Sequence, residues 1–330
     1  MTAGIPGAEA VPPACRPDLH RDWRAIPAGA RGAVVALGNF DGVHLGHAHL
    51  LRALHGARPS GALAVASFEP HPREFFRPDD PPFRLALPEE RRDALGALGV
   101  RHLFEIPFDA AFSHLTARQF VDEVLHEALG VAHVACGADF AFGHRRGGDV
   151  RFLAERAEAL GIGLTVVPAL ADEGGPISST RIRRALQDGY PERAARMLGR
   201  PWALRGPVRH GDARGRLLGF PTANIPLGRH LEPARGVYAV RVRLPNGDLR
   251  GGVANIGLRP TVNQTKESRL EVHLFDFDGD LYERELSVSL LVLLRDEKRF
   301  DGLDALKTQI ALDAAQARAV LDAGTTAPGP

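Results

Sequence analysis

The chain has 330 residues, of which 44% are hydrophobic and 25% charged, and a net charge of +1. That length suits about two domains, and the composition is that of an ordinary globular protein. The near-neutral balance argues against nucleic acid as a partner, and no apolar run approaches the roughly 18 residues that a membrane helix needs. Neither cysteine, Cys15 or Cys136, has metal-ligand spacing. A single disulfide between them is formally open, but Cys136 ends the apolar run Val134–Cys136 and reads as a small core residue. A reducing, cytoplasmic compartment fits this usage.

Residues 1–28 are rich in Ala, Pro, Arg and Gly and lack the apolar core of a signal peptide, so a flexible leader is expected, with a docked arm as the alternative. Short apolar runs then alternate with helical patterns. Strands are expected at 33–37, 62–68, 102–106, 131–136 and 164–167. Helices are expected from near Val43 through Leu54, between Thr116 and Leu129, and over 150–160; in the second, Phe120, Val121, Val124, Leu125, Ala128 and Leu129 share a face. Fully apolar strands separated by helices indicate a Rossmann-like α/β domain with a parallel sheet, placed at 29–196.

The period changes after about Gly199. Val237–Leu244 reads as a strand and is followed by Pro245-Asn246-Gly247-Asp248, a turn signal leading into a second strand over 249–256. Residues 270–275 and 285–294 supply further strands, and Leu303, Leu306, Ile310, Ala314, Ala317 and Leu321 mark one side of a terminal helix. A small antiparallel β-barrel with a terminal helix is therefore expected over 197–323, followed by a disordered tail at 324–330.

In the first half, Gly38-Asn39-Phe40-Asp41-Gly42-Val43-His44-Leu45-Gly46-His47 follows the first strand and opens the first helix. Unpaired N–H groups at a helix start attract phosphate. Gly42 and Gly46 allow close approach, and His44 and His47, three apart, lie on one helix face where imidazole N–H groups can donate to phosphate oxygens. Such a histidine pair is also found exposed or on metal; its place at the carboxyl end of the first parallel strand favours the phosphate role. Ser178-Ser179-Thr180 before a helical stretch reads as an N-cap, which is compatible with phosphate binding.

In the second half, Gly215–Asn224 contains no Walker A lysine, which excludes a P-loop kinase. Taken alone the segment is a turn with an Asn cap, although the Thr222 and Asn224 oxygens suit Mg²⁺. Glu271 is either an outward-facing strand residue paired with a cation or a general base.

Residues 38–47, Ser67–Phe76, Gly137–Gly143 with Arg146–Asp149, Ile177–Arg183, Arg205–Asp212, Gly219–Asn224, Gly252–Thr261 and Leu270–Phe277 occur in the same order as motifs of the bacterial bifunctional riboflavin kinase/FAD synthetase family, which the chain resembles over roughly residues 30–320. The resemblance implies two transfers from ATP: riboflavin to FMN, then FMN to FAD. It implies adenylyltransferase contacts from Gly38, Asn39, Phe40, Asp41, Gly46, Asp139, Ser178, Ser179, Thr180 and Arg183, with His44 and His47 catalytic. In that step the FMN phosphate attacks the α-phosphorus and no protein nucleophile is needed.

For the kinase step it implies nucleotide contacts from Gly211, Gly219, Thr222 and Asn224, Mg²⁺ on Thr222 and Asn224, and Glu271 as the base. Arg295, Glu297 and Arg299 are expected to border the isoalloxazine. Glu69 and His71 either contact flavin or shape their loop. The expected partners are small molecules, without nucleic acid or membrane, and the chain is expected to be a monomer or weak homo-oligomer. A flavin or nucleotide carrier without turnover would require the histidine pair or Glu271 to be idle.

Overall fold

The computed structural model describes residues 16–211, 219–260 and 266–324. Its contacts form two compact units: residues up to Asp80 with Ala86–Ile177, and Pro81–Leu85 with the residues from Ser178 on. The expectations for residues 1–15, for 212–218 of the second-half glycine loops, for Thr261 and for the tail over 325–330 lie outside the described residues.

The first unit runs β1 (Asp18–His20), β2 (Val34–Leu37), α1 (Leu45–Ala57), β3 (Leu63–Glu69), α2 (Pro72–Phe76), α3 (Pro88–Gly96), β4 (His102–Pro107), α4 (Ala110–Ser113) and α5 (Ala117–Gln119). A π-helical stretch (Phe120–Ala128), β5 (His133–Gly137), α6 (Val150–Ala159), β6 (Gly163–Val167) and a small ribbon of β7 (Ala171–Asp172) with β8 (Gly175–Pro176) complete it. The main sheet is parallel throughout, in the order β1-β4-β3-β2-β5-β6.

Both faces of this sheet are covered, because alternate side chains of one strand enter different cores. Val34 and Ala36 pack with Leu50, Leu51 and Leu54 of α1 and Leu95 of α3. Val35 and Leu37 pack with Phe120, Val121, Val124 and Leu125 of the π-helical stretch and Leu153 of α6. The expected helix between Thr116 and Leu129 thus buries the expected face, but its turns are wider: the Leu129 N–H donates to Val124 O at 2.9 Å.

Residues 16–28 depart from the expected flexible leader. Asp18–His20 adds a parallel edge strand to β4, Arg92 Nε donates to Pro17 O at 2.8 Å, and Trp23 is buried. Such a short strand carries too few residues to show a period.

The second unit runs α7 (Ser179–Gln187), α8 (Pro191–Leu198), β9 (Ala203–Pro207), β10 (Ala223–Pro226), β11 (Gly236–Arg243), β12 (Leu249–Pro260), β13 (Lys266–Leu274), β14 (Glu285–Asp296) and α9 (Leu303–Gly324). Its six strands form an antiparallel sheet in the order β10-β13-β12-β11-β14-β9. Just past β9, Arg209 N–H donates to Asn224 O at 2.8 Å and nearly closes the sheet into a barrel. Tyr238, Val240, Val242, Ile256, Leu270, Val272, Val288 and Leu290 are buried.

Val237, Ala239, Val253 and Phe275 instead meet Ala317 of α9, with Ala314, Val320 and Leu321 packed around them. The stripe expected on α9 is therefore used from its middle onward, whereas Leu303 is exposed at the helix start. Helices α7 and α8 group with this unit by contacts, α8 packing on β14, and the change of contact unit falls at Ile177/Ser178.

Candidate active sites

In the first unit the strand order turns back between β2 and β5, the place where open parallel sheets bind ligands at their carboxyl ends. Ala36 lies beside Ala135, so the loops beginning at Gly38 and Gly137 leave neighbouring strands at the same level. The 38–44 loop is strained: Phe40, Gly42 and Val43 have φ of 52°, 82° and 43°. Left-handed backbone costs a residue such as Val roughly 1–2 kcal/mol, and it persists only where neighbours fix it. Here Phe40 and Val43 are buried, the Asp41 carboxylate accepts from Ala86 N–H at 3.2 Å, and Ser67 Oγ donates to Asn39 O at 3.3 Å.

The loop delivers His44 as the N-cap of α1. Its Nδ1 accepts from His47 N–H at 3.3 Å, and His47 Nδ1 accepts from His44 N–H at 3.2 Å. The rings stack at 3.6 Å between centroids. With both Nδ1 atoms accepting, the neutral rings carry their protons on Nε2. The pair is therefore a built donor surface at a helix start. Gly46 permits it, since a Cβ there would stand 3.0 Å from the His44 ring and 3.3 Å from Ile177 O.

Asp139 is exposed just beyond β5, on a loop pinned by reciprocal Phe142–Gly148 backbone bonds of 2.9 and 3.0 Å. His71 caps α2: its Nδ1 accepts from Arg73 N–H at 3.0 Å and its N–H donates to Glu74 at 3.2 Å. Sequence reasoning missed the aromatic group beside it. Phe75, Phe76 and Phe108 meet edge to face at centroid distances of 5.1–5.7 Å, Phe68 and Phe112 extend the cluster, and Phe76 is 63% exposed. The adjacent pair Phe75-Phe76 was the available signal, but Phe108 lies on another strand end.

Ser178 caps α7, accepting from Arg181 N–H at 3.3 Å, while Ser179 and Thr180 form the first turn. Arg183 Nε donates to Phe83 O at 3.0 Å and its guanidinium lies over the Phe83 ring. These four residues group with the second unit.

In the barrel, strand register assembles the site. Glu271 of β13 stands opposite Asn224 of β10 on one side and Asn255 of β12 on the other. Leu270 and Val272 point into the core, so Glu271 faces outward in a polar row. Thr222 lies two residues before Asn224 and shares its face. Asn224 Nδ2 donates to Thr222 O at 3.3 Å, and His273 Nδ1 bonds Pro221 O at 2.9 Å, which fixes the segment. Gly211 packs on the Asn224 amide so closely that a Cβ would stand 2.5 Å from Nδ2. Gly219 is exposed at the start of this segment with φ of 84°. Asn255 was missed because register is not readable from one strand.

Glu297 and Arg299 are exposed beyond β14. Arg295, within β14, is committed elsewhere: Nε and Nη2 donate to Asp313 of α9 at 3.0 and 2.8 Å, and Asp313 is buried. Cys136 is a buried core residue whose thiol is pushed up to about 11 by desolvation, with Asp139 adding to the effect.

A doubly wound sheet with a histidine-capped loop, joined in one chain to a barrel with an amide–carboxylate row, is the arrangement expected of a two-domain phosphate-transferring enzyme. Comparison with known proteins agrees. Residues 26–181 match the family model for FAD synthetase and residues 198–321 that for riboflavin kinase. A bifunctional riboflavin kinase/FMN adenylyltransferase from Pseudomonas fluorescens is 44% identical over 295 residues, 88% of this chain and 93% of its own length. Its namesake from Escherichia coli K12 is 43% identical over 289 residues, 87% and 92% of the two chains.

A crystal structure described as a macrolide-efflux protein from Streptococcus pneumoniae aligns with a TM-score of 0.83 and 34% identity, covering 92% of this chain and 99% of that one. That description belongs to that protein; among the described residues here, no helix is long and apolar enough to cross a membrane. The chain belongs to the bifunctional riboflavin kinase/FMN adenylyltransferase family.

Proposed function

We propose that the two sites divide one pathway between them, with adenylyl transfer at residues 38–47 and alcohol phosphorylation at the Thr222–Asn224–Glu271 row. The chain is a transferase with two ATP-dependent steps: riboflavin becomes FMN with release of ADP, and FMN becomes FAD with release of pyrophosphate. The observation that carries the site assignment is that two unlike phosphate devices stand in the two units, each within the range of one family model. Residues 29–196 are the adenylyltransferase half and 197–323 the kinase half.

In the adenylyltransferase step, Gly38, Asn39, Phe40, Asp41 and Gly46 shape the phosphate loop, and the Nε2–H groups of His44 and His47 donate to phosphate oxygens as charge builds on the α-phosphate. Asp139 borders the nucleotide. The exposed Phe76, with Phe75 and Phe108, offers an aromatic wall for the isoalloxazine.

In the kinase step Glu271 accepts the proton of the 5′-hydroxyl as it attacks the γ-phosphorus. The donor set fits Mg²⁺: the Thr222 hydroxyl and the Asn224 amide oxygen are hard ligands, and Gly211 fits against that amide where any side chain would clash. Bound there, Mg²⁺ would neutralise phosphate charge. Gly211 and Gly219 flank the nucleotide, and Glu297 and Arg299 border the flavin; Arg295 contributes by anchoring α9. The protein works as a monomer or weak homo-oligomer on small molecules, without nucleic acid, in the cytoplasm, where a reduced Cys136 is at home.

Incubating the full chain with riboflavin, ATP and Mg²⁺ and separating the flavins by chromatography tests this reading. FMN followed by FAD is expected; formation of neither flavin contradicts it.

A further inference from the structure

Beside the 38–47 loop lies a buried ionic ladder whose Arg21, Arg91 and Glu105 belong to none of the family motifs. Arg91 of α3 is 1% exposed and Glu105 of β4 is 4% exposed. Arg91 Nη2 donates to Glu105 at 2.9 Å and lies 3.5 Å from Glu69 at the end of β3. Its Nη1 donates to the backbone carbonyl of Asn39 at 3.3 Å. The other oxygen of Glu105 accepts from Arg21 Nε at 3.1 Å, just past the edge strand β1. One guanidinium thus ties together the carboxyl ends of β2, β3 and β4, and Arg21 extends the ladder to the docked N-terminal segment.

The tether falls at the entry to the left-handed residues Phe40, Gly42 and Val43. A loop held in such backbone needs external constraints, and its N–H groups face phosphate only while the constraints hold. Ser67 supplies a second donor to Asn39 O, but from a neutral hydroxyl on β3 alone. Arg91 also offsets the carboxylate of Glu69, which stands at the sheet end that receives anionic substrates.

We propose that Arg91 is a positioning residue for adenylyl transfer: it fixes the Asn39 carbonyl, and through it the phosphate loop, with Glu105 and Arg21 holding Arg91 in place. The proposal rests on the assignment of adenylyl transfer to residues 38–47. Lysine cannot replace Arg91, because a single ammonium does not reproduce the planar fork that reaches a carbonyl and two carboxylates at once.

The test uses the full chain and measures riboflavin phosphorylation and FMN adenylylation separately, so that the kinase half serves as an internal control. Removing Arg91 alone would leave Glu105 buried with only Arg21 as a partner. The informative variants are therefore Arg91→Lys, which keeps the charge, and the double change Arg91→Met/Glu105→Gln, which removes the buried pair together.

In both, kcat for FMN adenylylation is expected to fall about 10- to 100-fold, the scale set by small misplacements of a reacting group. Riboflavin phosphorylation should stay within about twofold, since no kinase residue is touched. Unchanged adenylylation in both variants, or a parallel fall in both activities that tracks loss of folded protein, would overturn the proposal. Full adenylylation in His47→Ala would instead overturn the assignment of the site and leave the ladder without a reaction to serve.

Discussion

In the proposed function the first unit meets phosphate through a loop and a helix start, and the barrel meets it through a row of strand side chains. At residues 38–47 a strained loop and a reciprocal histidine cap present N–H groups, and no carboxylate is asked to take a proton. At Asn224, Glu271 and Asn255, three strands in register present amides around one carboxylate. The difference follows the nucleophile. FMN already carries an anionic phosphate and needs only orientation and charge neutralisation, whereas the riboflavin hydroxyl must lose a proton as it attacks.

The contrast breaks most visibly at Glu271. Glu271→Gln keeps the shape and removes the base, so riboflavin phosphorylation should fall by about 10²–10⁴-fold, while FMN adenylylation measured on supplied FMN stays unchanged. His47→Ala should do the reverse, lowering adenylylation about 10²–10³-fold with phosphorylation intact. Equal loss of both steps in either variant would merge the two sites into one.

Arg295 sharpens the barrel side. Its fork on the buried Asp313 makes it a support for α9. Arg295→Met leaves that buried carboxylate without its cation, with only the Gln309 amide donating to it at 2.9 Å, and chemical denaturation should show a loss of roughly 3 kcal/mol. A change confined to the KM for riboflavin, with stability unaltered, would assign it to the flavin instead.

The local geometry of the candidate sites was legible where it depends on neighbours in the chain. The Gly38–His47 run carries its own turn, cap and donors within ten positions, and Thr222 and Asn224 share a face by strand period. What escaped depends on long-range partners. Asn255 meets Glu271 only through β12–β13 register, and Arg91 reaches Asn39, Glu69 and Glu105 from three other segments. Strand β1 escaped because three edge residues have no measurable period, and the π-helical turns of 120–128 escaped because the same apolar face suits either helix.

That unforeseen edge strand yields a pH dependence. Burial lowers the pKa values of His20 and His102; Asp18 pulls both the other way, the His102 ring 3.3 Å away further lowers His20, and Arg101 further lowers His102. Their folded values lie below the ordinary imidazole value of about 6.5, so the unfolded chain binds more protons just below that pH. Stability from this contact is complete above it and declines as pH falls toward the folded values. Lower amide protection factors in Asp18–His20 at pH 5.5 than at pH 7.5, after correction for the intrinsic exchange rate, would bear this out; equal protection would not. The smallest effect is at Cys136, whose buried thiol should resist alkylation at pH 8 in the folded chain and react once denatured.

Mixing two disabled proteins tests the central claim most directly. Glu271→Gln cannot make FMN but retains the first-unit site, and His47→Ala makes FMN but cannot use it. Given riboflavin and ATP, each alone should yield little FAD, and the mixture should restore FAD formation through FMN released into solution. FAD from either variant alone at the unmodified rate, or none from the mixture while FMN accumulates, would contradict two separate sites built from different chemistry.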